Sequence, residues 1–342
     1  MQRVQTPNPG AYEFYLRGNE LARAYESLPR ARDLYLRALE IDPDYAPAWA
    51  QLGRCHRVIG KFVQVTDDSE TEAEQAFRRA LALDPNLSLA HKFYAALEAD
   101  IGVAQSAVVR LLRQATRRGN DPELFAGLVH ALRYCGLYDE SLAAHAEARR
   151  LDPNVTTSVE GTLLLAGDLP QMLAFETAGG GGDEGIRVMG LGLAGRREEA
   201  MEKLVLARDK LRLPAFHAWT GFLLAWLERR LDDTRSRAAQ FEALKIRSDP
   251  EAIFLHGWLS CDAGAYDIGL AHLQRAVARG YSPSINLARS PQFDPIRSSP
   301  EFQAVLADAE AGRRRALAAF RDAGGERLLG RVPADPAERV VS

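Results

Sequence analysis

No run in this 342-residue sequence approaches the roughly 18 apolar residues that a membrane-crossing helix needs. No charged-then-apolar leader of the secretory kind opens it either. Cysteine is scarce: Cys55, Cys135 and Cys261 are odd in number and far apart, which does not suit a disulfide framework. Each lies in an apolar helical pattern, where a reduced, buried thiol is the expectation. A cytoplasmic protein with no membrane segment is therefore expected. Charge of one sign is lacking too, because a formal net charge of -3 is unlike the strongly basic domain of a dedicated nucleic-acid binder. Charged residues at 26% and hydrophobic residues at 46% exclude wholesale disorder and are ample for a packed interior.

What is present is repetition. The stretches "RALEIDPDYAPAWAQLG", "RALALDPNLSLAHKFYA" and "EARRLDPNVTTSVEGTL" share an Ala, three residues, Asp-Pro and a following run. Pro85 and Pro153 are 68 residues apart, twice 34. The best-kept unit is Pro122 to Val155, where Phe125, Leu128, Val129 and Leu132 recur at helical spacing, Gly136 interrupts, and Tyr138, Leu142, His145 and Ala148 resume before Asp-Pro. That order spells helix, glycine turn, helix and proline stop. It closely resembles the tetratricopeptide repeat (TPR), which implies an all-α chain of helix-turn-helix repeats stacked into a right-handed superhelical solenoid. One such pair cannot bury its own apolar face, so neighbours must stack.

Upstream, Ala31, Tyr35, Ala38 and Pro43 fit a first repeat whose first helix spans Ala11 to Tyr25; Trp49, Leu52, Gly53, Ala73, Phe77 and Ala80 fit a second, and Gly102 with Ala107 a third. About seven to eight helical pairs are expected. The organisation expected is a lead-in at 1–10, an array at 11–178 with a long polar loop at 63–72, a glycine-rich hinge at 179–185, degenerate repeat-like pairs at 186–325 ending in an amphipathic capping helix, and a flexible tail at 326–342. The stretches at 8–19, 125–153 and 290–310 also resemble the repeat region at the C-terminal end of bacterial serine/threonine protein kinases and adenylate cyclases. That resemblance implies an interaction or regulatory module in bacterial signalling.

Catalytic signatures are missing. The chain has no Val-Ala-x-Lys strand after a Gly-rich loop, no His-Arg-Asp, no Asp-Phe-Gly and no G-x-S-x-G. None of its seven histidines stands at a specific metal-ligand spacing. The "GGGGDEG" run lacks the Lys-Ser/Thr of a phosphate loop and has acidic neighbours. "GLGLAG" at 190–195 satisfies G-x-G-x-x-G, but Gly195 also falls at an inter-helix turn and no strand pattern surrounds it. No enzyme, cofactor or metal is expected; the alternative is a helical-repeat sensor or accessory subunit that binds a small molecule or nucleotide at that motif.

In tetratricopeptide arrays the first helices of successive repeats line a concave groove, and positions 2, 5, 9 and 12 face it. Carried over, those positions give Pro47, Ala50, Arg54 and Arg57, then Leu89, Lys92, Ala96 and Ala99, then Glu123, Ala126, His130 and Arg133. Arg54, Arg57, Lys92, His130 and Arg133 are the partner-binding candidates. Guanidinium groups pair bidentately with carboxylate or phosphate, so the partner expected is a protein or peptide, acidic or phosphorylated, or a second copy of the chain. The Lys and Asn pair with which the family's chaperone-binding members hold a C-terminal carboxylate is replaced here by Ala50 with Arg54, or Lys92 with Ala96.

Overall fold

The computed structural model describes residues 8–63, 68–175, 181–210, 213–242 and 249–330, and every regular element among them is helical. Sixteen helices follow one another in eight antiparallel pairs: α1 (Pro9–Leu21) with α2 (Leu28–Ile41), α3 (Ala46–Val58) with α4 (Ser69–Leu83), α5 (Ser88–Asp100) with α6 (Ala104–Arg117), and α7 (Pro122–Tyr134) with α8 (Tyr138–Leu151). A short pair, α9 (Val159–Ala166) and α10 (Leu169–Ala174), is followed by α11 (Gly181–Leu193) with α12 (Arg197–Lys210), α13 (Pro214–Leu227) with α14 (Leu231–Glu242), and α15 (Pro250–Asp262) with α16 (Tyr266–Ala278). Three helices close the described residues: α17 (Ser284–Arg289), α18 (Pro300–Asp322) and α19 (Gly325–Leu329).

The helix starts follow from local chemistry. Asn8, Asp121, Asp168, Asp249 and Ser299 each accept a backbone N–H of the first turn, and a proline stands at the start of the helix that follows. The triplet Asp-Pro-Glu does this twice, at 121–123 and 249–251. Within a pair, the helices meet where a side chain is missing. A Cβ on Gly18 would lie 2.6 Å from the Tyr35 ring, and one on Gly53 would lie 2.7 Å from Phe77. Both rings are fully buried.

The second half folds back onto the first. The α13 helix packs on a π-helical turn at Ile59–Val63, where Phe62 lies 5.6 Å from both Tyr25 and Phe216. Ser282 donates its N–H to the carbonyl of Tyr134 at 3.2 Å, and α18 and α19 lie against α6, with α19 also on α8. Gly102 and Gly136, both at positive φ in inter-helix turns, take the backbone of Arg279 and Ser282 at a distance that no Cβ permits. One continuous apolar core accordingly runs from Ala95 to Phe320.

Three expected irregular segments meet helix. Of the loop at 63–72, Val63 ends the π turn, 64–67 lie outside the described residues, and α4 starts at Ser69. Just before this stretch, the π turn at Ile59–Val63 continues α3 and carries Lys61 and Phe62 to the second half. Of the stretch at 179–185, α11 begins at Gly181 and residues 179–180 lie outside the described ones. Of the tail at 326–342, Glu326 to Leu329 belong to α19, and 331–342 lie outside the described residues.

Because Phe77 fills a space that Gly53 leaves open, Phe77→Ala is expected to cost about 3–5 kcal/mol. A lowered urea midpoint followed by circular dichroism measures it, with Phe77→Leu expected to lose much less.

Candidate functional site

The first helices of the first four pairs present one face to an open groove of about 440 Å³. Asn19, Ala22 and Arg23 border it at the end of α1, Gln51 and Arg54 on α3, Leu89, Lys92 and Phe93 on α5, and Glu123 on α7. The turn at 152–156, after α8, supplies Asp152, Asn154, Val155 and Thr156. Arg54 donates to the carbonyl of Ala22 at 3.2 Å and holds its guanidinium 5.7 Å from the Phe93 ring centre. Lys92 is ion-paired to Glu123 at 2.6 Å and reaches the carbonyl of Thr156.

The five candidate residues therefore part into two groups. Arg54 and Lys92 border the groove, whereas Arg57, His130 and Arg133 lie where the second half meets the first. Arg57 donates to Asp100 at 2.6 Å. Lys61 joins Asp100 at 3.0 Å to Asp249 at 2.6 Å, and Asp249 also accepts from the Tyr134 hydroxyl at 3.0 Å. Arg133, only 4% exposed, grips both oxygens of Glu251 at 2.7 and 3.0 Å and gives its remaining N–H groups to Ser158 and His130. Tyr281 completes the set by donating to Glu251 at 3.1 Å.

Three cations thus face three carboxylates in an enclosed volume, and their placement suits the helix ends. Asp249 and Glu251 stand at the start of α15, where peptide dipoles favour negative charge; Arg57 stands in the last turn of α3, where they favour positive charge. Burial opposes ionisation of Asp100, but Arg57 and Lys61 outweigh it and hold its carboxyl well below the usual carboxylate range. For Asp249 burial wins over Lys61, with Asp100 and Glu251 adding repulsion, and its carboxyl is raised. Burial pushes the thiols of Cys55 and Cys135 up to about 12, and that of Cys261 likewise with help from Asp262, so all three stay protonated.

The glycines of "GLGLAG" serve packing. Gly190 and Gly192 lie inside α11, buried against Met172 and Trp226 respectively, and Gly195 takes the left-handed turn into α12. Among the described residues no three His, Cys, Asp or Glu side chains gather where a metal ion could sit. No described helix is long and apolar enough to cross a membrane.

A tetratricopeptide repeat family model matches residues 34–65, which take in the second half of α2, all of α3 and its π turn. That stretch is similar to a tetratricopeptide repeat and lies within a succession of helical pairs. Among solved structures it is similar to the human IFIT1 dimer with m7Gppp-AAAA, at 14% identity over 94% of this chain and 72% of that one, with a TM-score of 0.42. It is similar also to yeast Tom70, at 13% identity over 96% and 98% with a TM-score of 0.27, and to the TPR domain of P58(IPK), at 10% over 90% and 99% with a TM-score of 0.25. No curated protein matches the chain.

Reading the repeats by position found Arg54, Arg57, Lys92, His130 and Arg133 but missed Lys61, Asp100, Tyr134, Asp249 and Glu251. The local signal was present, since Asp-Pro-Glu at 249–251 is a helix start like that at 121–123. Nothing in a position rule says that this start lies on Lys61, 188 residues away.

Lys61→Met leaves two buried carboxylates without their shared cation, and is expected to destabilise the repeat array by about 3–5 kcal/mol. Arg54→Ala in the groove is expected to cost under about 1 kcal/mol. Paired urea titrations of the two variants check the difference.

Proposed function

We propose that the chain is a non-catalytic scaffold that holds a segment of a partner protein in the groove bounded by α1, α3, α5, α7 and the turn at 152–156. A tetratricopeptide array is in general a protein-interaction scaffold. The observation that carries the finer reading is Arg54. It makes no ion pair with any described residue, yet it is fixed in place by Ala22 and by the Phe93 ring. An arginine ordered before binding loses little rotamer freedom when a carboxylate or phosphate arrives. Lys92, by contrast, is already neutralised by Glu123.

The segment it suits is acidic or phosphorylated, with its charged group on Arg54 and its backbone along the polar edges formed by Asn19, Gln51 and Asn154. Such a segment can come from another protein or from a second copy of this chain. The resemblance to the C-terminal repeats of bacterial kinases and cyclases supports a place in cytoplasmic signalling, with the array choosing what a catalytic protein acts on or answers to. No observation favours the nucleotide-sensor reading, because the glycines that would cradle a phosphate are filled by Met172 and Trp226.

Fluorescence anisotropy with labelled peptides rich in Glu, bearing phosphoserine, or neutral tests this. The charged peptides are expected to bind the wild-type chain more tightly than the neutral one, and Arg54→Glu to weaken them at least about tenfold, or 1.4 kcal/mol. Arg113→Glu, on the exposed face of α6, is the control and is expected to leave binding unchanged. Equal binding by wild type and Arg54→Glu overturns the proposal.

A further inference from the structure

His130 takes no part in the groove. It stands on α7 one turn before Arg133 and Tyr134, with its ring 4.7 Å from that of Tyr134. Arg133 Nη2 lies 3.1 Å from His130 Nδ1. A guanidinium can only donate, so Nδ1 is the acceptor and the single ring proton sits on Nε2. Nε2 in turn is shielded from solvent and has no hydrogen-bond partner among the described residues. This fixes where a second proton must go. The only nitrogen that can take it is Nδ1, which already faces the Arg133 N–H, so protonation sets two N–H groups against each other.

Arg133 cannot absorb that change by turning aside. Its Nε and Nη2 hold Glu251 of α15, and its Nη1 holds both the carbonyl and the hydroxyl of Ser158. Around the imidazole stand Arg133 and Tyr134 from α7, Arg57 from α3, Lys61 from the π turn, Asp100 from α5, Asp249 and Glu251 from the start of α15, and Tyr281 from the turn after α16. Arg133, Arg57 and Lys61 repel a charge on His130, and Asp100 is the carboxylate that favours one.

We propose that His130 is an acid-sensitive trigger at the contact between the two halves: its protonation displaces Arg133 and frees Glu251, loosening α15 from the turn edge of α3, α5 and α7. The geometry gives the direction. In the closed form burial, then Arg133 and Arg57, hold the imidazole well below its ordinary value. In the opened form it returns toward the ordinary value of about 6.5, so closure is fully supported above that pH and weakens as pH falls below it. Opening brings Arg133, now at 4% exposure, out to solvent. The inference stands whether or not the groove binds an acidic segment, since it concerns an internal contact.

Hydrogen–deuterium exchange of the full chain, corrected for the intrinsic pH dependence of exchange, tests it between about pH 7.5 and pH 5. Amides of 57–63 and 250–262 are expected to exchange at least about tenfold faster at the acid end, while those of α1 and α2 change little. His130→Gln keeps an acceptor for Arg133 and does not titrate, and is expected to abolish the acceleration. Protonation of Asp249 also weakens its bond to Lys61, so the same acceleration in His130→Gln assigns the effect to the carboxylates and overturns the proposal, as does no acceleration in the wild type. Should His130→Gln not fold, NMR titration of the wild type decides: the native His130 ring is expected to stay neutral across the pH range in which exchange accelerates, and a native ring that takes its proton near the ordinary value of about 6.5 overturns the proposal.

Discussion

Where Tyr35 meets Gly18 and Phe77 meets Gly53, the ring on one helix occupies the volume that a Cβ on the other would need. Two helices brought that close leave little of their facing sides to solvent, but their outer sides remain apolar and each pair must find another. The stacking of pairs follows from that need, and so does the groove, because the first helices of consecutive pairs are thereby set side by side. Ala90, Ala95 and Ala99 on α5 and Ala126 and Ala131 on α7 carry the same economy of volume between neighbouring pairs. The arrangement asks little of any individual contact and much of the spacing.

Stacking alone would leave an open array. Here the array returns on itself, and beside the apolar contacts a buried polar cluster takes part in the return. Lys61 and Phe62 ride on the π turn that continues α3, and they meet Asp249 and Phe216 from the second half. A buried group of three cations and three carboxylates is costly to assemble from water, and its net contribution to stability is small compared with the apolar core around it. What it contributes is selectivity of docking: a register shifted by one turn would bury charges without partners. Its other consequence concerns the groove. The basic positions nearest the C-terminal ends of the first helices are spent internally, so the accessible cation is the one farther from that edge.

The fold was legible to the extent that it is local. Pro85 and Pro153, Gly102 and Gly136, and Tyr35 and Phe77 each mark a helix end, a turn or a ring position by their own chemistry, and eight pairs were within reach of that reading. The groove positions were legible too, since Arg54 and Lys92 follow from the repeat's geometry. Long-range pairing was not. Arg57 and Arg133 have the same residue type as Arg54 and stand at a repeat position that is also read as facing the groove, and only the location of Asp100 and Glu251 distinguishes them. The polar stretch at 63–72 was legible in part. Its composition is that of a surface loop, while Ser69 to Glu72, its last residues, form the first turn of α4.

The tie between Lys61 and Asp249 also changes how the molecule would carry a load. An open solenoid behaves as a spring in which every repeat lies in series along the line of pull. In this one the contact bridges 188 residues of sequence with two atoms 2.6 Å apart. A tension applied outside that interval passes through the ionic cluster and bypasses the repeats between, so those repeats neither stretch nor relax until the tie fails. The molecule is then a rigid strut at low force and a long extensible spring only beyond a threshold.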